Sequence, residues 1–257
     1  MQKISILGCG WLGLPLGKQL TKNFKVLGSV RKKSDLVELD KLNITPFLIP
    51  FEKENNSIDS LFLNSDVLII TIPPKAENFV KTIKNLIFEI EKSTIKKVLY
   101  CSSISVYGNQ NGILTENNTT LPKTENAKKM ATVEQLLLQN SHFKTTVLRL
   151  GGLIGQQRHP AKHLSDKILK QPNALINLIH LTDCIGAIET IITQQLTGVF
   201  NLVAPFHPKK IVYYSSACQQ LQIPVPKADV SISTNTTIIS SEKINTFYHF
   251  KNEKLRL

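Results

Sequence analysis

The chain has 257 residues, 42% of them hydrophobic and 19% charged, an ordinary globular balance that argues against disorder. Thirty-one Lys and Arg against nineteen Asp and Glu leave a net charge of +12. The lysines are scattered from Lys3 to Lys254 with a single run at Arg31-Lys32-Lys33, the pattern of a solvated basic surface and not of a nucleic-acid interface with interleaved aromatics. The longest strongly apolar run, Val67–Ile72, is too short to span a bilayer, so no membrane partner is expected. The four cysteines show neither CxxC spacing nor a nearby His pair. That points to reduced thiols in the cytoplasm, with no metal site and no disulfide frame. Ile6-Leu7-Gly8-Cys9 imitates a lipoprotein cleavage site, but the apolar stretch before it falls short of the about 7–15 residues of an export signal.

In chain order, strand-like and helix-like segments alternate, the pattern of a parallel sheet with crossover helices. The spacing predicts a first strand over Lys3–Leu7, then a Gly-rich turn and a helix to about Lys22 on which Leu12, Leu16 and Leu20 share a face. Further strands are expected at Lys25–Val30, Pro46–Phe51 and Asp66–Ile72. A helix over Glu77–Lys92 leads to a strand at Lys97–Ser102, and a helix over Glu125–Gln139 to a strand at Thr145–Leu150. Beyond Gly155 the periodicity weakens to one strand-like piece, Gly198–Val203, and a polar tail. The expected architecture is α/β, a doubly wound and mostly parallel sheet. Residues 1–155 with 181–203 build the main domain, and 156–180 with 204–257 a small lobe over the carboxyl edge.

Gly8-Cys9-Gly10-Trp11-Leu12-Gly13 is a GxGxxG turn that follows a strand, opens a helix and begins a βαβ unit. In that context the turn cradles the pyrophosphate of a dinucleotide, with the helix N-terminus adding partial positive charge. An NAD-type site places Asp or Glu at the end of the second strand; here stands Gly28-Ser29-Val30-Arg31. Ser29 and Arg31 lie where a 2′-phosphate would sit, so NADP is favoured and NAD remains open. Thr71-Ile72-Pro73-Pro74 ends the fourth strand, where Thr71 and Pro73 either border the cofactor or simply terminate the strand. Cys9 beside the phosphate loop reads as a small buried thiol.

Ser102-Ser103-Ile104-Ser105-Val106-Tyr107-Gly108, together with the early glycine turn, resembles the extended, NAD(P)-dependent epimerase/dehydratase branch of the short-chain dehydrogenase/reductase superfamily. Leu148-Arg149-Leu150-Gly151-Gly152, Ile179-His180-Leu181-Thr182-Asp183 and Gly198-Val199-Phe200-Asn201-Leu202 extend the resemblance over about residues 1–205. Gly10-Trp11-Leu12-Gly13 and Arg158-His159-Pro160 bring it nearest to the bacterial YeeZ-like group. The resemblance implies a Rossmann-like fold with a substrate-side lobe.

It also implies a Ser, a Tyr and a Lys for acid–base work. Ser103 matches the serine, but the helix position for Tyr-x-x-x-Lys reads Asn126 to Met130, so both other groups are replaced. Lys128 or Lys129 could move into place only by rotating the helix and exposing its Met130-Val133-Leu137 stripe. Ser103 and Tyr107 then form an altered catalytic pair, or Ser103 only orients a ligand, or both hydroxyls satisfy strand-end hydrogen bonds. Arg158 and His159 follow the second glycine cluster and are candidates to grip a small polar substrate, an anionic one for Arg158, with a surface ion pair as the alternative reading. His180 reads as a packed histidine and Asp183 as the cap of a helix beginning at Ile185. The expected activity is an NADP-preferring epimerase/dehydratase-like oxidoreductase. The alternative is a dinucleotide-binding sensor or scaffold without turnover. Neither oligomeric state nor pathway is legible.

Overall fold

The computed structural model describes residues 1–51, 58–155, 158–164, 167–229 and 236–255. Parts of the expected small lobe, 156–157, 165–166, 230–235 and 256–257, lie outside the described residues. Seven strands organise the chain: β1 (Lys3–Leu7), β2 (Lys25–Val30), β3 (Thr45–Leu48), β4 (Val67–Ile70), β5 (Lys97–Ser103), β6 (Lys144–Leu150) and β7 (Gly198–Leu202). They form one sheet in the order β7-β6-β5-β4-β1-β2-β3, with every neighbouring pair parallel. The winding reverses between β1 and β4, and that switch point opens a crevice at the carboxyl ends of the strands, where α/β sheets bind ligands.

Among the described residues seven α-helices accompany these strands: α1 (Gly13–Leu20), α2 (Leu36–Lys41), α3 (Phe79–Glu91), α4 (Glu125–Leu138), α5 (Leu181–Thr193), α6 (Lys210–Gln220) and the short α7 (Glu242–Asn245). Both faces of the sheet are buried, which is why its central strands read as continuous apolar runs. In β4, Val67 and Ile69 point to the face covered by Leu16 and Leu20 of α1 and Ile188 and Ile191 of α5. Leu68 and Ile70 point to the opposite face, under Ile83 and Leu86 of α3 and Val133 and Leu137 of α4. The period-2 alternation of a strand thus feeds two separate cores.

A third core joins Ile154, Leu169, Ile176 and Leu178 to Tyr213, Tyr214, Ala217 and Cys218 of α6. The end of the chain returns to the large core, where Tyr248 and Phe250 are buried. Asp183 holds it there and is not the cap expected from sequence. The helix α5 begins at Leu181 with His180 as its N-cap. The Asp183 carboxylate, fully buried in the first turn, accepts the Tyr248 hydroxyl at 2.8 Å and the amides of Lys251 and Asn252 at 2.7 and 3.0 Å. A buried carboxylate needs such donors, and the returning tail supplies them. Among the described residues, no helix is long and apolar enough to cross a membrane.

Candidate functional site

The turn from β1 into α1 admits only glycine at its first and third glycine positions. Gly8 has φ +105°, and a Cβ on Gly13 would stand 2.3 Å from the Gly8 carbonyl oxygen. Two side chains fix the turn in place. Ser29 is buried and its Oγ accepts the Gly8 amide at 2.9 Å, and Thr71 donates its hydroxyl to the Gly8 carbonyl at 2.6 Å. Ser29, expected beside a 2′-phosphate, is therefore turned inward to shape the loop. Thr71 likewise locks the end of β4 to the glycine turn.

Around Gly10 the arrangement opens. A Cβ there would have nothing within 4 Å, and the amide hydrogens of Trp11 and Leu12 donate to no described residue. A backbone cradle, unpaired amides and the start of α1 are what a pyrophosphate requires. These residues fit a dinucleotide. Arg31 stands exposed just past β2, and Pro73 exposed past β4, on the rim of the same crevice. Cys9 is buried, and desolvation pushes its thiol up to about 12, so it is an inert packing group.

Ser103 ends β5 and caps the short turn Ile104–Tyr107, its Oγ accepting the Ser105 amide at 3.1 Å. Its own hydroxyl hydrogen has no acceptor among the described residues, and the side chain is half-buried. Tyr107, expected on the cleft edge, faces the other way. It is 1% exposed. Its hydroxyl receives a hydrogen bond from Arg149 Nη1 at 2.9 Å and lies 2.8 Å from Asn201 Oδ1 and 2.9 Å from the Thr115 carbonyl. Burial raises the phenol pKa, while the Arg149 guanidinium opposes that shift.

Arg149 in turn pairs with Glu134 of α4 at 2.8 Å, and Glu134 accepts the Ser102 hydroxyl. This buried network ties α4, β5, β6 and β7 together. Sequence reasoning missed Glu134, Arg149 and Asn201; a Glu and an Arg inside otherwise apolar segments were the available signal. Asn126 is exposed and Met130 buried at the start of α4. Lys129 reaches across to the Ala76 carbonyl at 2.9 Å, with the Met130-Val133-Leu137 stripe still inside.

A cavity of about 660 Å³ opens beyond β6, lined among others by Arg158, Lys167, Leu169, Lys170, Lys210 and Tyr214. Among the described residues, four that line it are cationic and none is acidic. Lys210 begins α6, where the helix dipole already favours anions, and burial lowers its ammonium pKa. An anion in the cavity would pair with these cations. His159, expected as a ligand contact, is among the residues that line the cavity but is buried, with both ring nitrogens engaged by the protein. Its Nδ1 accepts the Ala161 amide at 3.2 Å, and its Nε2 meets the Tyr213 hydroxyl at 2.9 Å, which itself donates to the Leu255 carbonyl at 3.1 Å. That chain requires the proton on Nε2, and burial pulls the imidazole down to about 4. His180 caps α5 through Nδ1, which accepts the Thr182 amide at 3.3 Å.

Residues 8–175 match the model of the NAD(P)H-binding family. The chain is 30% identical over 239 residues to Protein YeeZ of Escherichia coli (strain K12), a match covering 88% of this chain and 86% of that protein. Among solved structures it is similar to a candidate NAD-dependent epimerase/dehydratase from Methylobacillus flagellatus, with a TM-score of 0.80, 20% identity and coverage of 97% and 93% of the two chains. It is also similar to UDP-glucuronic acid 4-epimerase from Bacillus cereus in complex with NAD, with a TM-score of 0.77, 19% identity and coverage of 95% and 89%. With the glycine cradle, the parallel sheet and its switch-point crevice, these likenesses converge: the chain belongs to the NAD(P)H-binding family, as a YeeZ homologue with the fold of the extended, epimerase/dehydratase-like short-chain dehydrogenases.

Proposed function

We propose that this protein is an NADP-preferring epimerase/dehydratase-like oxidoreductase acting on a small polar substrate that carries an anionic group. The observation that carries the reading is a cavity to which the described residues contribute four cationic side chains and no acidic one, set beside a glycine turn whose Trp11 and Leu12 amides donate to no described residue. When bound, the nicotinamide supplies reversible hydride transfer. Trp11 and Leu12 hold the pyrophosphate through their amides, and Arg31 holds the 2′-phosphate as a charge-assisted donor. Arg158 and the cavity lysines grip the substrate's anionic group, while His159 fixes the Arg158 segment from behind. Ser103, with its hydroxyl hydrogen uncommitted among the described residues, donates to the reacting oxygen. Tyr107 acts as a positioning residue, anchoring the turn that carries Ser103 to Arg149.

Calorimetric titration with NADPH and NADH tests the reading: a charge-assisted contact to one phosphate implies about ten- to a hundredfold tighter NADPH. Equal affinities would overturn the preference. One observation favours a second reading, a dinucleotide-binding sensor or scaffold without turnover. Asn126 and Met130 stand where the resemblance puts the Tyr and Lys of the proton relay, and Met130 is buried. Consumption of NADPH against a panel of anionic carbonyl compounds separates the two readings.

A further inference from the structure

Arg158 belongs to both sites. Its guanidinium carbon lies 5.0 Å from the centre of the Trp11 ring, and Trp11 supplies one of the two unpaired amides of the glycine turn. The same side chain lines the cationic cavity. Among the described residues no carboxylate or carbonyl accepts from its guanidinium, so Trp11 is its one side-chain contact of defined geometry. The backbone beneath is a tight antiparallel bridge, with Gly155 and Arg158 exchanging N–H···O bonds of 3.0 and 2.9 Å. A Cβ on Gly155 would stand 3.1 Å from Trp11 Cζ2, so the bridge packs directly against the indole.

We propose that Trp11 and Arg158 form a relay through which the dinucleotide turn and the anion cavity strengthen each other's binding. This rests on the proposed reading of the two sites and goes beyond it by naming how they communicate. A guanidinium held over an aromatic ring at cation–π distance still has several N–H donors, so it can bind an anion without leaving the ring. A dinucleotide that orders the Gly10–Gly13 backbone fixes the indole, and the indole fixes the fork. The anion then binds a guanidinium already in position and loses less ordering entropy. Linkage requires the reverse effect to be equal: an anion on Arg158 steadies the indole and tightens the dinucleotide.

The test uses the full chain, inorganic phosphate as the anionic probe and NADP as the dinucleotide. In NADP-saturated protein, where the glycine turn is filled, phosphate should change Trp11 emission saturably. Saturating phosphate should also raise NADP affinity about fivefold, within the usual range of coupling between sites. Competition by phosphate for the glycine turn would lower that affinity, so a rise identifies coupling. Arg158→Lys keeps a cation in the cavity but loses the delocalised guanidinium over the indole, and the ratio should return to one; Trp11→Leu should do the same with the turn's amides intact. NADP and phosphate binding independently, or a ratio unchanged in both variants, overturns the relay and leaves the proposed function standing. Failure of NADP to bind at all overturns both.

Discussion

Ser103 and Tyr107 lie four residues apart but meet opposite surroundings, one half-buried with no acceptor for its hydroxyl hydrogen among the described residues, the other enclosed by Arg149, Asn201 and the Thr115 carbonyl. Their substitutions should therefore separate. Ser103→Ala should leave NADPH affinity unchanged and reduce turnover of a true substrate at least about tenfold, at the low edge of what acid–base groups contribute. Tyr107→Phe should instead cost stability, about 1–3 kcal/mol, because Arg149 and Asn201 lose a buried partner; denaturant unfolding measures it. A stability loss below about 0.5 kcal/mol would mean those partners repair themselves with water. At Arg31 the expectation concerns binding alone: Arg31→Ala should erase the preference for NADPH over NADH without weakening NADH, read by calorimetry. The fate of Ser29 and Tyr107 illustrates why residue roles resist reading from a linear chain. A residue's distance from a motif says which end of a strand it occupies, but not whether its side chain points into the crevice or under it.

At the scale of elements, the sheet was legible because burial on both faces writes β4 as an apolar run and β1 and β5 as largely apolar ones between turn residues. The helix α2 was missed because six residues with one buried side chain, Leu39, carry no measurable periodicity. The helix α6 was missed because its inner face is made of Tyr213, Tyr214, Ala217 and Cys218 among polar neighbours, which reads as a polar tail. The glycine turn was legible at Gly8 and Gly13, where positive φ or steric exclusion of a Cβ leaves a signature in the sequence, though the inward role of Ser29 was not; nor was the cationic cavity, because it collects Arg158, Lys167, Lys170 and Lys210 from separate segments. The ion pair between α4 and β6 carries its own prediction. Glu134 and Arg149 are 2% and 6% exposed, so Glu134→Ala strands a buried guanidinium and should cost about 3–5 kcal/mol. Chemical denaturation monitors this, and a loss below about 1 kcal/mol would contradict an enclosed pair.

Across the whole molecule, stability should depend on acid in a way set by its histidines. Burial holds His159 at about 4, against an ordinary value near 6.5, and His180 and His207 are shifted in the same direction by burial. The unfolded chain thus binds more protons than the native one between those limits. Stability is complete above about pH 6.5 and falls toward pH 4, by up to about 1.4 kcal/mol per pH unit for a single group. His159→Asn keeps an acceptor for the Ala161 amide and should flatten that slope in denaturant unfolding measured across this range; an unchanged slope would assign the acid sensitivity elsewhere. The fold, the glycine cradle and the cavity all converge on one claim, that a dinucleotide lies along the turn from β1 into α1. The chain contains one tryptophan, Trp11, and it stands in that turn. Titration with NADPH, followed by Trp11 emission with calorimetry in parallel, should give saturable quenching and energy transfer at the same midpoint as the heat. Saturating NADPH that leaves both the emission and the heat unchanged would contradict the account.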